Sequence, residues 1–160
     1  MGLPSTRRLR DRLEAQLRRE VRLRPGAPLA PTAPGLSFAI YVDAHLTTHA
    51  VVVADLAAAA YIGAASTLIP VGVAAAAVEE HTLPALLRTP FGSVLEEWAQ
   101  LFDRAAGTEE AEIRLYDAVL PGGRPPPDIA TLAAAPGLRL DVTVSVRAYG
   151  EGRLSLVLGR

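Results

Sequence analysis

The stretch that decides the fold is residues 139–158, RLDVTVSVRAYGEGRLSLVL. Apolar side chains occupy every second position in both of its halves, from Leu140 to Val146 and from Leu154 to Leu158. Successive side chains of a β-strand point to opposite faces, so this alternation predicts two strands that each bury one face. The glycines of Gly150-Glu151-Gly152 predict the turn between them. We therefore expect an antiparallel hairpin here.

Outward from the hairpin, weaker patterns predict the other elements. Apolar and β-branched runs predict strands at 36–42, 49–54 and 112–119. Helical spacing and breaker residues predict helices at 56–68, 71–80 and 90–106, a short helix or turn at 83–88, and one or two helical turns at 128–134. This order favours an antiparallel sheet with helices packed on it, which is an α+β fold.

Residues 56–78 carry no charge, and a run of this length raises the question of a membrane span. The run is rich in alanine, which inserts into membranes less readily than leucine or phenylalanine. Pro70 and Gly72 interrupt it, and Asp55 stands where a helix N-cap is expected. Two short buried helices are the better prediction.

The first 24 residues are basic, with eight arginines against three acidic side chains. Ser5 can cap a helix that runs to about Glu20. Its apolar residues recur every four positions and form one stripe: Leu9, Leu13, Leu17 and Val21. One interpretation packs this stripe on the domain and leaves the arginines in solvent. The other makes the helix a contact for an acidic partner or an anionic lipid surface, with Arg8, Arg12 and Arg19 as binding residues.

We divide the chain into a basic amphipathic helix (1–24), a Pro/Gly-rich linker (25–35) and an α+β domain (36–160). No secretory signal pattern is present, so a cytoplasmic location is expected. A homodimer is left open.

Composition excludes several kinds of chemistry. The sequence has no cysteine and no lysine, which excludes thiolate metal sites, cysteine nucleophiles and a P-loop lysine. The formal net charge of −1 predicts no general affinity for nucleic acid. His45 and His49, with Asp43 nearby, form only a weak candidate metal site on a strand turn. No metal or cofactor of its own is predicted.

The helix predicted at 90–106 carries the functional lead. Thr89 is its expected N-cap, with Pro90 at the first helical position. Its core face is expected to hold Val94, Leu95, Trp98, Leu101, Phe102 and Ala105. A narrow polar strip lies on the opposite side, formed by Ser93, Glu97, Gln100 and Arg104.

On these residues the sequence resembles the CheC/CheX/FliM family of bacterial chemotaxis proteins. The family's phosphatase helix has Ser or Asp, three residues, Glu, two residues, Asn, and a proline some twenty-two residues later. Ser93, Glu97 and Gln100 match this spacing, and Pro121 and Pro125 follow after twenty and twenty-four intervening residues. Element order over residues 36–158 is also similar.

The resemblance implies a signalling module that docks a response-regulator receiver domain. Gln100 would position water on the receiver's aspartyl phosphate, Glu97 would hold the partner in register, and the receiver would supply the divalent metal ion. Ser93 and Arg104 would contribute to binding. Gln100 replaces the family's asparagine, so hydrolysis is an open question, and a non-catalytic interaction or scaffold protein of the same fold is the alternative. A second alternative is peripheral membrane binding through the basic helix.

Ser93 and Glu96 also fit a capping box, in which case Glu97 and Gln100 are ordinary solvated helix residues.

Overall fold

A computed structural model describes residues 2–102 and 112–159. Its centre is an antiparallel sheet in the order β1-β5-β6-β3-β2-β4. The strands are β1 Val21–Pro25, β2 Ser37–Val42, β3 Thr48–Ala54, β4 Arg114–Val119, β5 Arg139–Val146 and β6 Gly150–Leu158. The predicted α+β fold with an antiparallel sheet is confirmed.

Helices cover both faces of this sheet. They are α1 Thr6–Leu17, α2 Leu56–Ser66, α3 Val71–Glu79, α4 Ala85–Glu97 and α5 Pro127–Ala134, and a 3-10 turn at Trp98–Leu101 continues α4. Helices α1 to α4 share one large core with one sheet face. On the other face, α5 packs through Ile129 and Ala133 on a smaller cluster that includes Phe38 and Val53. The uncharged run 56–78 is the buried pair α2 and α3, as predicted.

Small residues allow α2 to lie close to both the sheet and α4. A Cβ atom added at Gly152 would come 2.4 Å from the Cα of Ala58. One added at Gly63 would come 2.7 Å from the carbonyl oxygen of Leu87. Side chains at these two positions would push α2 away from its neighbours, so the glycines set the spacing of the helical layer.

The C-terminal hairpin has its turn earlier than predicted. Residues 147–149 form it, with Ala148 in the left-handed region (φ 68°), and β6 begins at Gly150. Gly150 and Gly152 are strand residues that pair with Val146 and Val144. The turn prediction was wrong because the close approach of α2, not a turn, accounts for the glycine at 152.

The basic N-terminal segment contains a strand that was not predicted. Helix α1 ends at Leu17, three residues before the expected end, and Arg18 follows in the left-handed region (φ 53°). Val21 is buried as expected, but it belongs to β1 and pairs with Val146 at the sheet edge. The Pro/Gly-rich stretch after it packs Leu29 into the smaller core cluster.

Helix α4 begins five residues before its predicted start. Pro84 is at its N-cap position, Thr89 is not a cap, and Pro90 lies inside the helix. An internal proline costs a helix about 3 kcal/mol. The continuous buried stripe of Leu83, Leu87 and Phe91 offsets this cost, since each leucine or phenylalanine contributes ~1.5–3 kcal/mol on burial. The predicted core face is buried at Val94, Leu95, Trp98, Leu101 and Phe102, while Ala105 lies outside the described residues.

Candidate functional site

Three of the predicted site residues form an exposed ridge, defined here as Ser93, Glu97 and Gln100. Ser93 lies within α4, and its hydroxyl donates to the carbonyl oxygen of Thr89 at 3.2 Å, so it caps no helix. The alternative capping box with Glu96 is therefore absent. Gln100 lies in the 3-10 turn and not in the α-helix, because regular helix ends at Glu97.

Helix α1 lies beside this ridge and bonds to it. The Arg12 guanidinium donates to Oε1 of Gln100 at 3.0 Å. The amide of Gln16 donates to Oε2 of Glu97 at 3.0 Å and to the carbonyl oxygen of Val94 at 3.1 Å. Both functional groups of the predicted site are thus hydrogen-bonded within the chain.

Arg8 completes the contact at the end of the 3-10 turn. Its guanidinium donates to the carbonyl oxygens of Gln100 at 2.7 Å and Leu101 at 3.0 Å. The last carbonyls of a helix lack intrahelical partners and carry partial negative charge, so a cation here satisfies and neutralises them. Arg8, Arg12 and Gln16 form one row on α1, which we call the polar stripe.

Sequence reasoning missed Gln16, which anchors the buried indole of Trp98. The indole Nε1–H donates to Oε1 of Gln16 at 2.8 Å, and Trp98 has no exposed surface. A buried indole N–H needs a partner. The available signal was spacing, since Arg8, Arg12 and Gln16 recur every four residues beside the apolar stripe.

Arg19 is not part of this arrangement. Arg19 donates to the carbonyl oxygen of Arg147 at 3.0 Å, and its guanidinium lies 4.7 Å from the ring centre of Tyr149. Arg104 lies outside the described residues. Sequence spacing on a helix could not separate Arg19 from Arg8 and Arg12, because the helix ends at Leu17.

The apolar stripe of α1 is fully packed. Leu9 and Leu13 have no exposed surface, and Leu17 has 1%. A helix that lies on a membrane buries its apolar face in lipid, which requires that face to be at the protein surface. The membrane interpretation of α1 would therefore require the helix to leave the core. No helix of the described residues is long and apolar enough to cross a bilayer.

A groove of about 590 Å³ opens between α1, the end of α2 and α4. The ridge residues Ser93 and Glu97 line one wall, and Arg12 and Arg18 line the α1 side. Leu68, just after α2, forms the third wall. A surface of this kind can hold side chains of a partner next to the ridge.

The candidate metal turn is occupied by internal hydrogen bonds. Asp43 accepts from His49 Nε2 at 2.8 Å and from the backbone N–H groups of His45 and Thr47. The hydrogen bond from His49 is the main reason that the pKa of Asp43 lies below its ordinary value. Within residues 2–102 and 112–159, no group of three acidic or histidine side chains is placed to hold a metal ion.

No protein-family model and no curated protein sequence matches this chain. Solved structures do match its fold. FliY from Thermotoga maritima matches with a TM-score of 0.52 and 12% sequence identity, over 94% of this chain and 81% of that chain. The FliM middle domain from H. pylori matches with a TM-score of 0.48 and 10% identity, over 95% of this chain and 83% of that chain.

A FliG–FliM complex from H. pylori also matches, with a TM-score of 0.45 and 10% identity over 95% of this chain and 85% of that chain. The structural neighbours are thus FliM and FliY domains, which are fold relatives of CheC and CheX. At these identities the likeness concerns the fold.

Proposed function

We propose that this protein is a chemotaxis or flagellar-switch type signalling module that docks a receiver domain on the ridge and does not itself hydrolyse the aspartyl phosphate. The fold likeness to FliY and the exposed ridge of Ser93, Glu97 and Gln100 support the docking part. The hydrogen bond from Arg12 to Oε1 of Gln100 carries the non-catalytic part.

A water-positioning amide must be able to turn toward the attacking water, and a hydrogen bond within the chain restricts that orientation. In Gln100 the oxygen already accepts from a guanidinium that α1 holds in place. Glutamine also carries its amide about 1.5 Å further from the backbone than the asparagine of the resembled family. A misplacement of about 1 Å can cost roughly a hundredfold in rate, so both features disfavour turnover.

Hydrolysis remains the second candidate because Gln100 is exposed and lies three residues after the exposed Glu97. The amide NH₂ of Gln100 donates to no acceptor within the described residues. A partner that inserted beside it would find a donor available.

Docking is tested by titrating the protein with a chemotaxis-type receiver domain held in its phosphorylated form by beryllium fluoride. We expect saturable binding that weakens in Glu97→Gln, which keeps an acceptor for Gln16 and removes only the charge. Glu79→Gln on α3 is the matched control, because Glu79 is exposed and lies off the ridge. Absence of binding to the wild-type protein would refute the docking proposal.

Hydrolysis is tested separately by the decay of the phosphorylated receiver. We expect the wild type, Gln100→Ala and Gln100→Asn all to leave the phosphoryl lifetime unchanged. Arg12→Ala frees the Gln100 oxygen and shows whether that bond suppresses activity. Acceleration by the wild type that disappears in Gln100→Ala would establish the catalytic alternative in place of our proposal.

A further inference from the structure

Two bulky residues stand in left-handed backbone conformation on the groove between α1, α2 and α4. Arg18 has φ 53° and Leu68 has φ 58°, and both line the groove. This conformation favours glycine, since a Cβ atom crowds the following carbonyl. Arg18 also occupies the position after a helix where glycine is most common. Side chains at both positions oppose the backbone preference.

The groove has an excess of positive charge. Within the described residues, Arg12 and Arg18 have no carboxylate partner. Three arginines outside the groove are each paired with an acidic side chain, at distances of 3.7 Å or less: Arg10, Arg22 and Arg24. The one carboxylate that lines the groove, Glu97, accepts from Gln16. Two cations without an acidic partner among the described residues, one of them bonded to the neutral Gln100 amide, therefore line the groove with one hydrogen-bonded anion.

The end of α2 lines the groove with the polar Ser66 and Thr67 and with one exposed apolar residue, Leu68. Leu68 is 73% exposed, and Pro90 and Ala65 line the surface next to it. Leu86, one helical turn before Pro90, is 59% exposed. Single exposed leucines are common on proteins, but this one lines a concave surface that also carries two guanidinium groups without a carboxylate partner among the described residues.

We propose that this groove binds an acidic peptide segment of a protein partner, with its carboxylates on Arg12 and Arg18 and an aliphatic side chain on Leu68. Guanidinium–carboxylate contacts supply charge complementarity, and the volume of about 590 Å³ is within the ~300–1,000 Å³ range of binding pockets. The inference deepens the proposed function and rests on it for the expectation of a protein partner, because the groove adjoins the ridge. It adds the chemistry of the segment that the partner presents.

Glycine is favoured at the two left-handed positions, so glycine variants there should stay folded. A loss of binding in them can therefore be assigned to the lost side chain. Arg18→Gly removes the guanidinium and relieves the strain of the left-handed backbone. Leu68→Gly removes the apolar side chain and relieves the same strain at its own position. His81→Gly is the matched control for the backbone, because His81 also has φ 54° and does not line the groove. Arg124→Ala is the matched control for charge on an exposed arginine elsewhere.

The probe is a displayed library of random twelve-residue peptides, selected on the wild-type protein and then measured as synthetic peptides. We expect enrichment of peptides that combine Asp or Glu with Leu, Ile or Val. Their affinity should fall about tenfold or more in Arg18→Gly, which corresponds to the ~1.4 kcal/mol of a charge-assisted contact. It should also fall in Arg12→Ala and Leu68→Gly, weaken with added salt, and stay unchanged in His81→Gly and Arg124→Ala.

No enrichment of acidic peptides, or equal affinity for wild type and Arg18→Gly, would overturn the groove proposal. The receiver titration separates this outcome from failure of the proposed function. Acidic peptides that bind the groove, with no binding of the receiver, would leave the groove standing and remove the receiver as partner. A receiver that binds the wild type and the groove variants equally would leave the receiver as partner and would remove the groove from its binding site.

Discussion

The two stripes of α1 differ in what they contribute. The leucines at 9, 13 and 17 are buried at 0–1% exposure and join α1 to the main core. The polar stripe of Arg8, Arg12 and Gln16 lies partly in solvent and bonds to one place, the junction of α4 and the 3-10 turn. Burial of apolar area is non-directional, whereas hydrogen bonds require particular atoms. The apolar stripe therefore provides most of the free energy that holds α1 on the core, and the polar stripe determines the position of α1 over the ridge.

The largest effect is expected from the apolar stripe. Leu13→Ala should lower the free energy of unfolding by about 2–5 kcal/mol, because it leaves a cavity at a fully buried site. Urea denaturation followed by circular dichroism measures this. Leu138→Ala is the control, since Leu138 is 66% exposed and should change stability by less than about 0.5 kcal/mol. Equal effects of the two would contradict the assignment of α1 to the core.

Gln16→Ala should have the next largest effect. It leaves the Trp98 indole N–H buried without its partner, at a cost of about 1–3 kcal/mol. Because Trp98 is the single tryptophan, its fluorescence reports the change directly. In a Trp98→Phe background the same substitution should cost less, since the orphaned donor is gone. An unchanged cost there would show that Gln16 acts through other contacts.

Arg12→Ala should cost about 0.5–1.5 kcal/mol, the usual net value of one hydrogen bond. The decisive measurement is a double-mutant cycle with Gln100→Ala, monitored by urea denaturation. A coupling energy of that size confirms the bond in solution. Additive effects would mean that Arg12 does not hold the Gln100 side chain, and the non-catalytic part of the proposed function would lose its main support.

Arg18→Gly should have the smallest effect, a gain in stability of about 0–1.5 kcal/mol. Relief of the left-handed conformation is worth ~1–2 kcal/mol, and the greater freedom of glycine in the unfolded chain offsets ~0.5–1 kcal/mol. Arg7→Gly, within α1, should instead destabilise by about 1 kcal/mol. Thermal unfolding distinguishes the two. Destabilisation by Arg18→Gly would indicate that its side chain has a structural role.

The elements that could be predicted are those whose patterns are local. Alternation in 139–146 and 154–158 predicts β5 and most of β6. Asp55 predicts the start of the first alanine-rich helix, and Pro70 predicts its separation from the second. The start of α4 could not be obtained in this way. Proline is common at the first helical position, so Pro90 predicted a boundary. Burial of Leu87 and Phe91 overrides that local preference, and it depends on residues distant in sequence.

The candidate site shows the same division. Spacing alone placed Ser93, Glu97 and Gln100 on one exposed surface, and all three are exposed. It could not show that Arg12 and Gln16 bond to this surface, because each contact joins residues more than 80 positions apart in the chain. Spacing also could not show that Arg19 lies apart from Arg8 and Arg12, because the partners of Arg19 are Arg147 and Tyr149 in the hairpin.

The sequence by itself determined the α+β class, the hairpin, the buried helical pair and the apolar stripe of α1, because these follow from the periodicity of neighbouring residues. Only the tertiary structure decided that Val21–Pro25 joins the sheet edge, that α4 passes through Pro90, and that α1 lies beside the ridge. The physical reason is that these outcomes depend on burial and hydrogen bonding between segments brought together by folding. Such energies outweigh the propensity of any single residue.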